Sequence, residues 1–281
     1  MGQAIGILHP GSMGVSIAAA ARKNGHTVRW AGRDRSPQSR QRADDNGLLD
    51  AGDLPGLCAL SDILFCICPP HAAEDVAEDV VASGFGGLYL DANAIAPQRA
   101  RRIAARIESA GAAYVDGGII GGPAWGPGKT WLHLSGARAA EITACFGEGP
   151  LMTNILGTAP DQASALKMCF AAQTKGTAAL TCAILAAAEN LGVRQALFEQ
   201  WSQNGADKAE QAARQACGVT DKAWRWEGEM REISATFEEA GVPGGFHAAA
   251  AELYARLAPF KDAPESPDLE SVLKALLHGR A

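Results

Sequence analysis

Gly11 and Gly14 lie three residues apart in Ile5-Gly6-Ile7-Leu8-His9-Pro10-Gly11-Ser12-Met13-Gly14, between a short apolar run and an alanine-rich stretch. Glycines at this spacing let the backbone turn sharply and let a pyrophosphate approach the unpaired N–H groups that open a helix. The chemistry is anion binding by the main chain. His9 takes the place of the first glycine of a G-x-G-x-x-G loop, where it is expected to position a bound group rather than carry a proton, and Pro10, Ser12 and Met13 complete the loop. A second apolar run ends in Gly32-Arg33, with Arg35 and Ser36 close behind, where a dinucleotide fold reads the adenosine ribose. A carboxylate there would accept the ribose hydroxyls and repel a 2′-phosphate, whereas arginines and a serine make a phosphate pocket. These residues predict NADP in preference to NAD.

Positioning this loop requires a strand before it and a helix after it. Residues 3–8 read as the strand and 13–21 as the helix, and short apolar runs then alternate with helical segments over about the first 150 residues. A third strand is expected at 63–68, a helix at 72–82, a fourth strand at 87–90, a helix at 97–110 and a fifth strand at 113–116. After a glycine-rich loop, strands at 130–134 and 151–155 flank a helix at 139–145. Such alternation implies an α/β Rossmann-type, doubly wound parallel sheet. From Asp161 the pattern is helical nearly to the end, predicting an all-α C-terminal domain joined by a long interdomain helix, with Thr158 and Asp161 as its capping pair. The expected domains are residues 1–158 and 159–281.

Composition narrows the class. The 281 residues are 47% hydrophobic and 20% charged with a net charge of −6, enough for a large core and without the broad basic surface a nucleic-acid partner needs. Seven cysteines, Cys58, Cys66, Cys68, Cys145, Cys169, Cys182 and Cys217, lack paired metal-ligand spacing and mostly sit in apolar runs. They read as reduced thiols, with no metal expected. No leader pattern opens the chain, and its longest apolar stretch, 176–188, falls short of the roughly 20 residues of a membrane span. A cytoplasmic protein with no membrane partner is expected.

Five segments in order carry a family resemblance. His9-Pro10-Gly11-Ser12-Met13-Gly14 resembles the Gly-Leu-Gly-x-Met-Gly loop of the β-hydroxyacid dehydrogenase superfamily, which includes 3-hydroxyisobutyrate and 6-phosphogluconate dehydrogenases and, more distantly, imine reductases. Cys68-Pro69-Pro70 resembles its cofactor loop after the third strand, and Asp91-Ala92-Asn93-Ala94-Ile95-Ala96-Pro97 its Asp-x-Ser-Thr-x-x-Pro segment. Asp116-Gly117-Gly118-Ile119-Ile120-Gly121-Gly122 stands for Asp-Ala-Pro-Val-Ser-Gly-Gly, and Ser164-Ala165-Leu166-Lys167 begins the long helix where the family carries its lysine. Residues 224–233, Trp-Arg-Trp-Glu-Gly-Glu-Met-Arg-Glu-Ile, look like a smaller, divergent subgroup.

The resemblance implies hydride transfer between a nicotinamide and a hydroxyacid, ketoacid or related carbonyl, with Lys167 as general acid/base. An ammonium at the mouth of a domain cleft, beside Met168 and Phe170, is suited to giving a proton to an incipient alkoxide. Two substrate contacts of the family are altered: Ala171 replaces an asparagine one turn after the lysine, and Ile120 replaces the serine before Gly121 and Gly122, whose N–H groups remain. Asn93 is the candidate replacement hydrogen-bonding residue. Lys175 either assists an anionic substrate or turns to solvent or a salt bridge, and a pocket with Ile120, Phe170 and Ala171 predicts a bulkier or less polar small-molecule substrate. Trp201, Trp224 and Trp226 with Arg225 and Arg231 either line a substrate entrance or pack as core, and His247 reads as a packing histidine. The all-round apolar segment 178–188 predicts a homodimer. Two other readings stand beside the enzyme: a non-catalytic sensor of NADP(H) or a metabolite, and an imine reductase-like enzyme, which Lys167 disfavours.

Overall fold

A computed structural model describes residues 2–203 and 207–278. The chain divides into two compact units, Met1–Met168 and Cys169–Ala281.

The first unit runs β1 (Ala4–Ile7), α1 (Ser12–Lys23), β2 (Thr27–Trp30), α2 (Pro37–Asp45), β3 (Leu49–Asp50), α3 (Leu54–Ala59), β4 (Ile63–Cys66), α4 (Ala73–Ala82), β5 (Leu88–Asp91), α5 (Pro97–Ser109), β6 (Ala113–Gly121), β7 (Thr130–Ser135), α6 (Ala139–Thr143) and β8 (Leu151–Gly157). The eight strands form one sheet in the order β3-β2-β1-β4-β5-β6-β7-β8. All neighbours are parallel except β6 and β7, which pair antiparallel from Asp116↔Ser135 to Gly121↔Thr130. The order reverses between β1 and β4, the switch point at whose strand ends such sheets hold ligands.

The central strands β4 and β5 are buried at every position, as strands covered on both faces must be. One face packs Ile5, Ile7, Val28, Phe65 and Leu90 with Val15 and Ile17 of α1. The other packs Leu64, Tyr89 and Tyr114 with Leu57, Val80 and Ile103 of α3, α4 and α5.

Two departures from the sequence reading bear on the site. Residues 37–59 hold two helices and the two-residue strand β3 between the second and third expected strands; β3 is too short to show alternation. The fifth strand, expected to end at Asp116, continues to Gly121 because β7 supplies its hydrogen-bonding partner.

The long helix α7 (Gln162–Asn190) begins in the first unit and continues in the second, followed by α8 (Arg194–Gln203), α9 (Lys208–Gly218), α10 (Thr220–Glu239), α11 (Gly245–Leu257) and α12 (Leu269–His278). Thr158 and Asp161 do not form the expected cap. The Asp161 carboxylate accepts from Arg101 Nη1 at 2.5 Å, and the N–H groups that open α7 are met from the sheet: Ala163 N–H donates to Ser135 Oγ at 3.0 Å and Ser164 N–H to Asp116 Oδ2 at 2.8 Å. Orphan donors at a helix start need acceptors from somewhere, and here a buried strand supplies them. Among the described residues no helix is long and apolar enough to cross a membrane.

Candidate functional site

Between β1 and α1 the loop His9 to Gly11 leaves the helix start open. No side chain caps α1 at Gly11, and its first turn carries no carboxylate. A Cβ on Gly14 would stand 2.3 Å from the His9 carbonyl oxygen, so only glycine permits the loop to fold back onto the helix. Open N–H donors, the positive end of the helix dipole and no competing acid fit a pyrophosphate. Ser16, one turn further, ties the helix inward by accepting from Ala124 N–H at 2.9 Å, and Met13 packs against the sheet core.

His9 is neutral at physiological pH. Burial, then the nearby Arg35 cation, hold its imidazole down at about 4. Its Nδ1 is buried with no hydrogen-bond partner among the described residues, which suits a positioning role. His9 and Arg35 line a small cavity of about 90 Å³ with Leu8, Ala31, Leu54, Val76 and Asp79. A larger groove of about 560 Å³ runs between α4 and α5, edged by the pairs Arg102–Glu74 and Arg106–Glu78; none of the phosphate-loop residues lines it.

The arginines expected to read a ribose phosphate have protein partners. Arg33 pairs with Asp53 at 2.7 Å while its side chain stays 65% exposed, and Arg35 Nη2 donates to the Leu8 carbonyl at 3.2 Å. The Ser36 hydroxyl accepts from Ser39 N–H and caps α2. Two residues absent from the sequence reading stand here. Arg42 Nε donates to the Pro10 carbonyl at 3.2 Å, clamping α2 to the phosphate loop. Asp50 Oδ1 accepts from Gly32 N–H at 3.0 Å and Gly52 N–H at 2.8 Å, so β3 brings a carboxylate beside the glycine at the end of β2. Both follow from the 37–50 segment, whose helix the sequence reading did not resolve.

At the ends of β4 and β5, Asn93 is 2% exposed; its Oδ1 accepts from Cys68 N–H at 2.6 Å and its Nδ2 donates to Cys66 Sγ at 3.2 Å. These bonds make Asn93 a brace for the Cys68-Pro69-Pro70 loop. Beneath it lie two buried carboxyls in register, Asp91 on β5 and Asp116 on β6. Burial pushes Asp91 up to about 7, with Asp116 adding to the rise, and burial also raises Asp116 against the hydrogen bonds from Ser164 and Ser135.

The Lys167 ammonium donates to the Ile119 carbonyl at 2.6 Å, which brings the lysine to β6 beside Ile120, Gly121 and Gly122. Gly121 adopts φ +117°, where a Cβ would meet the Lys129 carbonyl at 2.1 Å, and Thr130 Oγ1 donates to the Gly122 carbonyl at 2.7 Å. The two glycines are part of the β6–β7 pairing and its turn. Ile120 is half-buried and pairs across from Trp131.

In the helical unit, Lys175 is the base of a buried ion pair with Glu229 and lies 5.5 Å from the Trp226 ring centre. Burial lowers its pKa while the Glu229 carboxylate opposes the shift. With its charge matched, Lys175 is neither solvent-facing nor available to an anionic substrate. Ala171 is 1% exposed, whereas Phe170 is 45% exposed. Trp226 packs edge-on against Tyr254 at 5.3 Å, and Trp201 stacks with Phe198 at 6.1 Å. Trp224 remains 41% exposed beneath the Lys261 ammonium, and Arg231 pairs with Glu227. His247 is buried between Phe237 and Phe246.

Comparison with known proteins agrees with this geometry. Residues 4–144 match the NAD binding domain of 6-phosphogluconate dehydrogenase, and residues 188–257 match a domain of unknown function, DUF1932. No curated protein matches. A conserved hypothetical protein from Sinorhizobium meliloti 1021 superposes with a TM-score of 0.71 at 23% identity, over 100% of this chain and 97% of that one. Mycobacterium tuberculosis 3-hydroxyisobutyrate dehydrogenase, solved with L-serine, gives 0.68 at 20% identity over 98% and 99%. The reductive aminase of Aspergillus terreus, solved with NADPH and ethyl levulinate, gives 0.55 at 20% identity over 98% and 99%. At these identities the superpositions establish the fold. The domain match over residues 4–144, with the ordered segments from His9 to Lys167, makes this chain a member of the 6-phosphogluconate dehydrogenase NAD-binding family, within the β-hydroxyacid dehydrogenase superfamily.

Proposed function

We propose that the protein is an NADP-dependent oxidoreductase that moves hydride between the nicotinamide and a hydroxyacid, its keto form or a related carbonyl compound. The observation that carries this reading is the Lys167 ammonium fixed on the Ile119 carbonyl of β6, in a unit whose phosphate loop and α1 start are open to a dinucleotide. His9, Pro10, Gly11, Ser12, Met13 and Gly14 would hold the pyrophosphate, Arg33 and Arg35 the ribose phosphate, and Cys68, Pro69 and Pro70 the nicotinamide side. When bound, the cofactor supplies or accepts the hydride at its nicotinamide ring.

In the reducing direction Lys167 gives a proton to the carbonyl oxygen as the carbon gains the hydride; in the oxidising direction it takes the hydroxyl proton. The Ile119 carbonyl orients the ammonium by accepting one of its protons. The half-buried Ile120, beside Lys167 in the first unit, supports a substrate less polar than a small hydroxyacid.

A carbonyl and alcohol panel assayed with NADPH and NADP, with Lys167→Ala as control, tests the assignment. Turnover that disappears in Lys167→Ala supports it; turnover undiminished in that variant removes Lys167 from the mechanism. A sensing role without turnover draws on the Asn93 amide bracing the Cys66–Cys68 segment and on the burial of Ala171. It gains if NADPH binds and nothing on the panel reacts.

We also propose a homodimer formed through α7. Leu180 and Ile184, four residues apart on one face of α7, are 44% and 38% exposed, and Leu191 just past the helix end is 72% exposed, an apolar patch suited to a second copy.

A further inference from the structure

The attachment of α7 to β6 has two points, both joining residues 48 apart in sequence. Asp116 meets Ser164, and Ile119 meets Lys167. The Asp116 carboxylate accepts Ser164 N–H at 2.8 Å, Ser164 Oγ–H at 2.6 Å and Ser135 Oγ–H at 3.1 Å, and all three residues are buried. Ser135 Oγ in turn accepts Ala163 N–H, so one carboxylate governs the first two main-chain donors described at the helix start.

Three residues of strand span about 10 Å, whereas three residues of helix rise only about 4.5 Å. The helix cannot keep step with the strand, and the lysine side chain makes the second contact from a Cβ that lies over Gly118. Where Lys167 reaches along β6 is therefore fixed by where the first turn of α7 is pinned. Gly118 lies between the two points, and a Cβ there would approach the Ala163 carbonyl to 2.5 Å and Lys167 Cβ to 3.3 Å. The helix rests directly on strand backbone.

We propose that Asp116 is the positioning residue for Lys167: by holding Ser164 and, through Ser135, the first turn of α7, it sets the ammonium at the Ile119 carbonyl. The proposal rests on the reading of Lys167 as the proton-transfer group, but its geometry can be tested without a substrate. Competitive acetylation with a trace of acetic anhydride, read by mass spectrometry over a pH series, reports the reactivity and pKa of each lysine separately.

In Ser164→Ala, which deletes one hydroxyl and keeps the helix, and in Asp116→Asn, Lys167 should gain reactivity on the order of tenfold, the worth of one hydrogen bond to a charged group. Lys208 and Lys222 should not change, and the NADPH Kd should stay within about twofold because the phosphate loop is untouched. Ser164→Thr, which restores the hydroxyl, should return Lys167 to its wild-type profile. An unchanged Lys167 profile in folded Ser164→Ala overturns the proposal whatever Lys167→Ala does to turnover. Conversely, a shifted profile together with full turnover by Lys167→Ala leaves the positioning intact and removes the catalytic assignment.

Discussion

Gly118 of β6 lies so close beneath Ala163 of α7 that a Cβ at position 118 would stand 2.5 Å from the Ala163 carbonyl oxygen. That oxygen is main chain and cannot rotate away, so a methyl group must push the helix off the strand. Gly118→Ala should destabilise the protein by about 1–3 kcal/mol, the usual cost of overpacking, and weaken the Lys167–Ile119 hydrogen bond. Gly149→Ala, with open space around the added methyl, serves as the control. Denaturant unfolding of both variants measures the difference, and equal stability would mean the helix yields freely.

The N-terminal half of this arrangement was legible in the sequence because its signals are local. A glycine loop between an apolar run and an alanine-rich helix marks a β-α turn wherever it occurs, and His9 to Gly14 sits there. Asp116 and Lys167 could be picked out one by one from the family resemblance, but not their linkage. Nothing in Asp-Gly-Gly-Ile or Ser-Ala-Leu-Lys announces that residues 48 apart will share hydrogen bonds. The Asn93 bonds to Cys66 and Cys68 were hidden for the same reason: an asparagine in a turn has the same letter whatever its amide meets. Asp50 escaped notice because its strand is two residues long.

Asp91 makes stability depend on pH. Its carboxyl is buried in register with Asp116 and faces Cys66, Tyr89, Tyr114 and, on α5, Arg99. Burial raises it from 3.8 to about 7, so between those values the folded chain holds a proton that the unfolded chain has lost. Stability from this group is complete below about 4 and is lost as pH rises through 7. The shift converts to a few kcal/mol at most, and the raised Asp116 adds in the same direction. Asp91→Asn, which cannot ionise, should flatten the fall in stability between pH 5 and 8 and be the more stable protein at pH 8. Urea titrations at the two pH values compare the slopes, and parallel behaviour of variant and wild type would show that Asp91 is not the group responsible.

The α7 patch predicts an assembly that one exposed position can break. Ile184 is 38% exposed in the single chain, so Ile184→Glu should leave the fold intact while placing two carboxylates against each other across a symmetric contact. Light scattering should give about twice the 29.2 kDa chain mass for the wild type and the single mass for the variant. A wild-type monomer at micromolar concentration removes the dimer.

Cofactor preference turns on two arginines with unequal duties. Arg35 also holds the Leu8 carbonyl, so removing it disturbs the loop under either cofactor. Among the described residues the Arg33 guanidinium has the exposed pair with Asp53, and surface pairs of this kind contribute little to stability. Its guanidinium can therefore exchange a carboxylate for a ribose phosphate at small cost. Arg33→Ala should raise the NADPH Kd on the order of tenfold, the loss of one charge-assisted hydrogen bond, and leave the NADH Kd nearly unchanged. Asp53→Asn, which frees the guanidinium, should tighten NADPH but not NADH. Fluorescence titration of both nucleotides against the three proteins decides the matter. Equal weakening of NADPH and NADH in Arg33→Ala would assign this arginine to holding the loop between β2 and α2, and with it the case for NADP over NAD would fail.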